Sequence, residues 1–135
     1  MIAADTSVVV AAFASWHEGH AVSAAALARR PRLPAHVVLE SYSVLTRLPA
    51  PHTAAPAKVA EFLQVQVRAA PLSLPAKAHA GLLREALAAG IVGGAVYDAL
   101  IAATAKRAGA VLLTRDRRAM PTYEKIGVRF ELVGG

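Results

Sequence analysis

Apolar residues fall in short blocks separated by polar punctuation, and the spacing of the blocks changes along the chain. Ile2, Ala3 and Ala4 form a short run that stops at Asp5, as the end of a buried strand does, and Thr6 and Ser7 followed by Val8, Val9 and Val10 predict a turn into a helix. A second helix is predicted over about 17–28, with Ala21, Ala24, Ala25 and Ala28 as a small-residue face, ended by Arg29, Arg30, Pro31 and Arg32. Leu33 and Pro34 read as a very short strand. The next helix is predicted over 36–48, closed by Pro49 and Pro51, and its apolar stripe runs through Val37, then Glu40 or Ser41, then Val44, Leu45 and Leu48. Another helix follows from Pro56 to Gln66, then a short strand at 72–74, then a helix that Pro75 starts and Gly90 ends. After Gly93 and Gly94 comes a helix that is apolar almost all round, which predicts burial against a sheet, and Lys106, Arg107 and Gly109 close it. Val111, Leu112 and Leu113 form the unbroken apolar run of a central parallel strand, and residues 123–126 and 128–133 supply a last helical turn and a last strand. Short apolar strands alternating with helices predict an α/β fold with a doubly wound parallel sheet.

Composition narrows this to one domain spanning residues 1–135. With 56% hydrophobic and 18% charged residues the chain has enough apolar surface for one sizeable core, and neither a linker nor a repeat divides it. The absence of Cys excludes disulfides and thiolate metal sites and agrees with a cytoplasmic setting. A net charge of +6 points to an anionic partner, nucleic acid before membrane, because no stretch is apolar for the length a span needs. The run from Val8 to Ala14 has no Lys or Arg ahead of it and is short for a signal peptide, so it is read as folded structure.

The chemistry-bearing residues are acids. Asp5, Asp98 and Asp116 are the only aspartates. Asp5 stands at the carboxyl end of the first strand, where ligands bind in an open parallel sheet, although an Asp before a helix also serves as a cap. Asp116 follows the central strand, so the two lie side by side if those strands are neighbours. Glu40 falls in the stripe of a core-facing helix, where a carboxylate either reaches the rim or needs a partner, a metal or a salt bridge to another element. Asp98 faces inward from a buried helix, or complements that helix's N-terminus. Four carboxylates gathered at one sheet edge repel one another without a cation; Mg2+ or Mn2+, which prefer oxygen ligands, would make them a phosphodiester hydrolysis site. His17 and His20 form a weaker metal pair with no third ligand nearby.

Four segments carry a resemblance to a known family: Asp5-Thr6-Ser7; residues 40–49 from Glu40 through Arg47 to Pro49; residues 97–102 with Tyr97 and Asp98; and Thr114-Arg115-Asp116. In order and spacing the chain resembles a PIN-domain protein, specifically a VapC-type toxin of a bacterial toxin–antitoxin pair. The resemblance implies a Rossmann-like parallel sheet in the order 3-2-1-4-5 with helices on both faces, and a metal-dependent endoribonuclease using Mg2+ or Mn2+. It implies a homodimer, a small VapB-like antitoxin that masks the site, and contact with operator DNA only through that antitoxin. By position Asp5, Glu40, Asp98 and Asp116 correspond to the family's catalytic and metal-binding acids, with Thr6, Ser7 and Thr114 in support. Arg47, Arg115, Arg117 and Arg118 are the candidates for RNA phosphate contacts, the last three being alternatively a solvated loop.

Three rival readings compete with this one. An aspartyl-nucleophile phosphatase wants a second Asp two residues after the first, where this chain has Ser7. A receiver domain wants an Asp ending the third strand, and 72–74 has none. The third is a non-catalytic RNA- or operator-binding subunit whose acids hold a structural cation.

Overall fold

A computed structural model describes residues 1–67 and 69–134. Three parallel strands, β1 (Ile2–Ala4), β2 (Val111–Thr114) and β3 (Phe130–Leu132), form a sheet in that order, with Ala3 opposite Leu112 and Leu113 opposite Glu131. On the free side of β1 the sheet continues only as two isolated parallel bridges, Ala3 to Arg32 and Pro34 to Leu72. The expected second and third strands therefore exist as single contacts at their expected places. Pro31 and Pro34 have no N–H to donate to a ladder, which limits pairing there to the amides of Arg32 and Ala35.

Seven α-helices lie among the described residues: α1 (Thr6–Phe13), α2 (His20–Ala28), α3 (Ala35–Thr46), α4 (Pro56–Gln66), α5 (His79–Ala89), α6 (Ala95–Arg107) and α7 (Met120–Ile126). A 3-10 turn at Ala76–Ala78 leads into α5, and Gly90 ends that helix in the left-handed conformation (φ +70°), where a side chain would be strained. The core is the sheet's own apolar run, Ala3, Ala4, Leu112 and Leu113, covered by Val8 and Val9 of α1, Val37 and Leu45 of α3, and Ala99, Ile101, Ala102 and Ala105 of α6. Ala99, Ala102 and Ala105 are fully buried, and their small size lets α6 pack closely on its neighbours, as the all-round apolar pattern predicted.

Two helices differ from expectation. α2 begins at His20, because Gly19 stands at its N-cap and residues 17–19 stay in the connecting loop. Its buried residues are Ser23, Ala26 and Leu27, whereas Ala21, Ala24, Ala25 and Ala28 are exposed. Leu27 has more area to hide than any Ala, so it sets which face turns inward. In α3 the choice between Glu40 and Ser41 falls on Ser41: Val37, Ser41 and Leu45 are buried, and Glu40 sits one step round the helix at the rim.

Candidate active site

β1 and β2 are neighbours, so their carboxyl ends deliver Asp5 and Asp116 to one edge. The amide of Asp5 donates to the Leu113 carbonyl at 3.0 Å, extending the ladder by one residue before α1 turns away. Asp5 is also the N-cap of α1, its Oδ1 accepting from the Val8 amide at 3.4 Å, so the capping and site readings of this residue are both realised. Cap geometry holds the carboxylate at the sheet edge.

A cleft of about 590 Å³ opens there, and its lining includes Asp5, Glu40, Asp98 and Asp116. Each comes from a different segment: the end of β1, α3, the first turn of α6 and the loop after β2. Hydroxyl groups bind the acids in place. Ser7 Oγ donates to Asp5 Oδ1 at 2.5 Å and accepts from the Arg115 amide at 2.8 Å, which ties the start of α1 to the exit of β2. Thr6 Oγ1 donates to Glu40 Oε1 at 2.5 Å, tying α1 to α3. Thr114 Oγ1 accepts from the Asp116 amide at 3.0 Å, and Asp116 Oδ1 accepts from the Arg118 amide at 2.9 Å, so the last acid is fixed by its own turn.

Two participants lie outside the sequence-based set. Tyr123, buried in α7, donates its hydroxyl to Asp5 Oδ2 at 2.7 Å. A Tyr on the buried stripe of a short helix needs an acceptor for its O–H, and that requirement is the available signal. His36 Nε2 lies 3.3 Å from Glu40 Oε2, the i,i+4 spacing on α3 being the signal in that case.

The electrostatics follow from burial and crowding. Burial pushes the Asp5 carboxyl above its ordinary range, against the pull of hydrogen bonds from Ser7, Thr114, Tyr123 and the Val8 amide. Asp98 is raised to about 6, first by burial and then by the charges of Asp116, Glu40 and Asp5, with His36 opposing. Each of the other three acids thus acts on Asp98, although they arrive from three other elements. Burial and the Asp5 charge push the Tyr123 hydroxyl well above its usual range, so it remains a donor at any ordinary pH.

The expected convergence needs one refinement. Among the described residues no three His, Asp or Glu side chains are gathered as a ready-made metal cage. The oxygens of Asp5 and Glu40 are turned onto hydroxyls and His36 instead. An open set of oxygen donors at a cleft fits Mg2+ or Mn2+, since Mg2+ is usually held by one or two carboxylates and keeps several waters. His17 and His20 do not form a pair: His20 Nδ1 faces the Ala11 carbonyl at 3.1 Å, while His17 accepts from the Gly19 amide and lines the acid cleft.

The arginines separate by environment. Arg115 Nη1 donates to the Val133 carbonyl at 2.9 Å, and its guanidinium fills the space a Cβ on Gly19 would need. It braces β3's end against the start of α2 at the edge of the cleft. Arg47 lines the cleft with Nη1 on Ser43 Oγ at 2.8 Å. Arg118 lines it with a side chain 95% exposed, its Nε 3.7 Å from Asp116. Arg117 is exposed in the same loop.

A family model described as PIN domain matches residues 2–125, the span that carries all four acids. The chain belongs to the PIN-domain family. This PIN domain is 52% identical over 133 residues to the protein named Ribonuclease VapC40 of Mycobacterium tuberculosis, covering 98% of this chain and 99% of that one. It is 45% identical over 128 residues to Ribonuclease VapC27 of the same organism, covering 94% and 93%. The resemblance to VapC-type proteins is borne out over nearly the full length. No helix among the described residues is long and apolar enough to cross a membrane.

Proposed function

We propose that this PIN domain is a VapC-type endoribonuclease, the toxin of a toxin–antitoxin pair, which cleaves RNA phosphodiester bonds in the cytoplasm with Mg2+ or Mn2+. The observation that carries the reading is the gathering of Asp5, Glu40, Asp98 and Asp116 in the lining of one cleft, where burial and then the charges of the other three raise the Asp98 carboxyl. Carboxylates crowded at one cleft are a site prepared for positive charge. Near-full-length identity to proteins named ribonucleases supports the same substrate class.

The residues divide the work. Asp5, Asp98, Asp116 and Glu40 are the proposed metal ligands and catalytic acids. Tyr123 and Ser7 fix both oxygens of Asp5, so its carboxylate keeps one orientation while substrate arrives. Thr6 and His36 do the same for Glu40. Arg47 and Arg118, exposed at the lip, offer cations to the RNA backbone. A bound divalent ion would supply the charge that offsets acids and phosphate and would activate a water for in-line attack. A homodimer, a small VapB-like antitoxin masking the cleft, and contact with operator DNA only through that antitoxin complete the proposal.

The test is RNA cleavage by the purified chain, stopped by chelator and restored by Mg2+. Asp5→Asn and Asp116→Asn should keep the fold and lose most cleavage, since an amide is a neutral and weaker ligand. Wild-type rates in both variants would refute the assignment of Asp5 and Asp116 to the catalytic site, whereas RNA bound but never cleaved by the wild type would return the chain to the non-catalytic RNA-binding reading. Expression alone should arrest growth, with rescue by the small protein encoded beside it; harmless expression of folded, metal-supplied protein would refute the toxin role.

A further inference from the structure

Two pairs of stacked aromatic rings stand beside the acid cleft, and three of their four rings, Trp16, His52 and Tyr97, are exposed and hold none of its acids. In the first, the Trp16 and His52 rings lie 4.0 Å apart at 26°, face on face. Trp16 is 50% exposed, although burying a Trp is among the larger gains open to a fold, and His52 is exposed as well. The pair joins the loop before α2 to the loop after α3. Both loops reach the cleft: His17 and Glu18, next after Trp16, line it from one side, and Arg47 lines it from the other. Consecutive Cα atoms are about 3.8 Å apart, so Trp16 is one residue's length from the wall of the cleft. In the second pair, the Tyr97 and His36 rings are parallel to within 2° with centroids 5.1 Å apart. Tyr97 is 54% exposed and adjoins Asp98, and His36 touches Glu40.

We propose that the Trp16–His52 and Tyr97–His36 stacks are base-stacking steps, which hold unpaired bases of an RNA strand while its backbone crosses the acids. This rests on the ribonuclease reading above. Arg47 and Arg118 at the lip attract phosphates but read no base. An exposed ring already backed by a second ring is rigid, loses little freedom on binding and presents a π-face, which any base can cover. A paired base has both faces occupied in its helix, so the steps select strands that are single at the cleft.

Trp16 is the chain's single tryptophan, so its fluorescence reports on this step alone. The cleavage-deficient Asp98→Asn chain, titrated in Mg2+, should show saturable quenching with a single-stranded oligoribonucleotide. A duplex of the same sequence, and a strand with equal phosphates but abasic sugars, should bind with little quenching. In the active protein Trp16→Ala should raise KM for single-stranded RNA about tenfold with kcat within about twofold, in the range that removing one base–aromatic stack gives, and Trp16→Phe should restore most of it. Tyr97→Ala should do likewise, with Tyr97→Phe near wild type. Single-stranded RNA that binds without quenching, or equal quenching by the abasic strand, overturns the proposal, as does an unchanged KM in folded Trp16→Ala. Should Trp16→Ala not fold, the quenching arms decide alone, because they leave Trp16 in place. If the wild type cleaves no RNA, the ribonuclease reading falls separately, and base-dependent quenching still decides whether the steps take bases.

Discussion

Replacing Asp98 with Asn separates the charge of the cleft from its shape. In the folded chain this carboxyl is pushed from 3.8 to about 6 by burial and by Asp116, Glu40 and Asp5. The unfolded chain releases the proton near 3.8. Between those values the native state holds a proton that the unfolded state has lost, so stability falls as pH rises through the window, and the cost is complete above about 6. At about 1.36 kcal/mol per pH unit the interval is worth about 3 kcal/mol. Asp98 is half-buried, and water screens part of the repulsion, so we take half of that, about 1.5 kcal/mol. Asn carries no charge in either state and should recover this amount.

The assay is thermal unfolding in chelator at about pH 7.5 and again below about pH 4. A domain of this size gains about 3–5 °C in Tm per kcal/mol, so the variant should melt about 5 °C higher at neutral pH and level with wild type in acid. RNA cleavage should be lost in the same variant, the usual exchange of stability for function. Mg2+ should raise the Tm of wild type more than that of the variant, because only the full set of acids binds it well in the native state. A lower Tm for the variant at neutral pH would refute the reasoning, since it would make Asp98 a favourable charge at the start of α6. A gap of equal size at both pH values would equally remove the charge explanation.

Tyr123→Phe should cost about 1.5–3 kcal/mol in urea unfolding at neutral pH, because it removes a buried hydrogen bond to a carboxylate, and less at low pH where Asp5 is protonated. No loss at neutral pH would mean that the Tyr123 hydroxyl does not support Asp5. Ser41→Ala should leave stability unchanged or raise it by up to about 1 kcal/mol, since Ser41 Oγ is buried without a hydrogen-bond partner among the described residues; a clear loss in urea unfolding would show a bond the geometry lacks. Removing Arg47 and Arg118 together should weaken RNA binding and flatten its log–log salt dependence by about 0.7 for each phosphate left without its cation. An unchanged slope would make both residues part of a solvated rim.

What the sequence makes legible is whatever a local pattern can encode. The Pro56 to Gln66 span of α4 is readable because proline fixes a helix start, and the end of α5 at Gly90 because only glycine enters the left-handed cap without strain. β2 is evident as an unbroken apolar run, which only a strand buried on both faces can carry. The outer strands are overstated by the same pattern, since Leu33-Pro34 and 72–74 hold one bridge between them and Arg32 makes one more to β1. The small-residue face of α2 is legible but not which face turns inward, because alanine periodicity carries too little area to choose a side, and the structure buries Leu27 with Ser23 and Ala26. All four acids are legible as residue types at strand ends and on the helices that flank the sheet. Their supports are not, because Tyr123 to Asp5 spans 118 residues and Thr6 to Glu40 spans 34, and contacts of that range exist only once the sheet has formed.

Those supports explain how the fold carries the cluster. Asp5 is the most buried of the four acids, and it is the one ringed by donors, with Ser7, Thr114, Tyr123 and the Val8 amide all lowering the cost of its charge. Hydrogen bonds to a charged group contribute about 1.5–3 kcal/mol each, enough together to offset much of the penalty of burying one carboxylate. Asp98 is placed differently: burial and the charges of the other acids raise it, with the charge of His36 in opposition, so the repulsion of the set concentrates there. His36 also holds Glu40 and stacks on Tyr97, which joins the relief of the acids to one of the aromatic steps. A strand that settles on Tyr97 therefore meets the same histidine that eases Asp98. Arg115 completes the frame from the other side, bonding through its amide to the hydroxyl that holds Asp5 and through its guanidinium to the end of β3. The acids are held by elements from both ends of the chain, so the cleft can form only when the whole domain has folded.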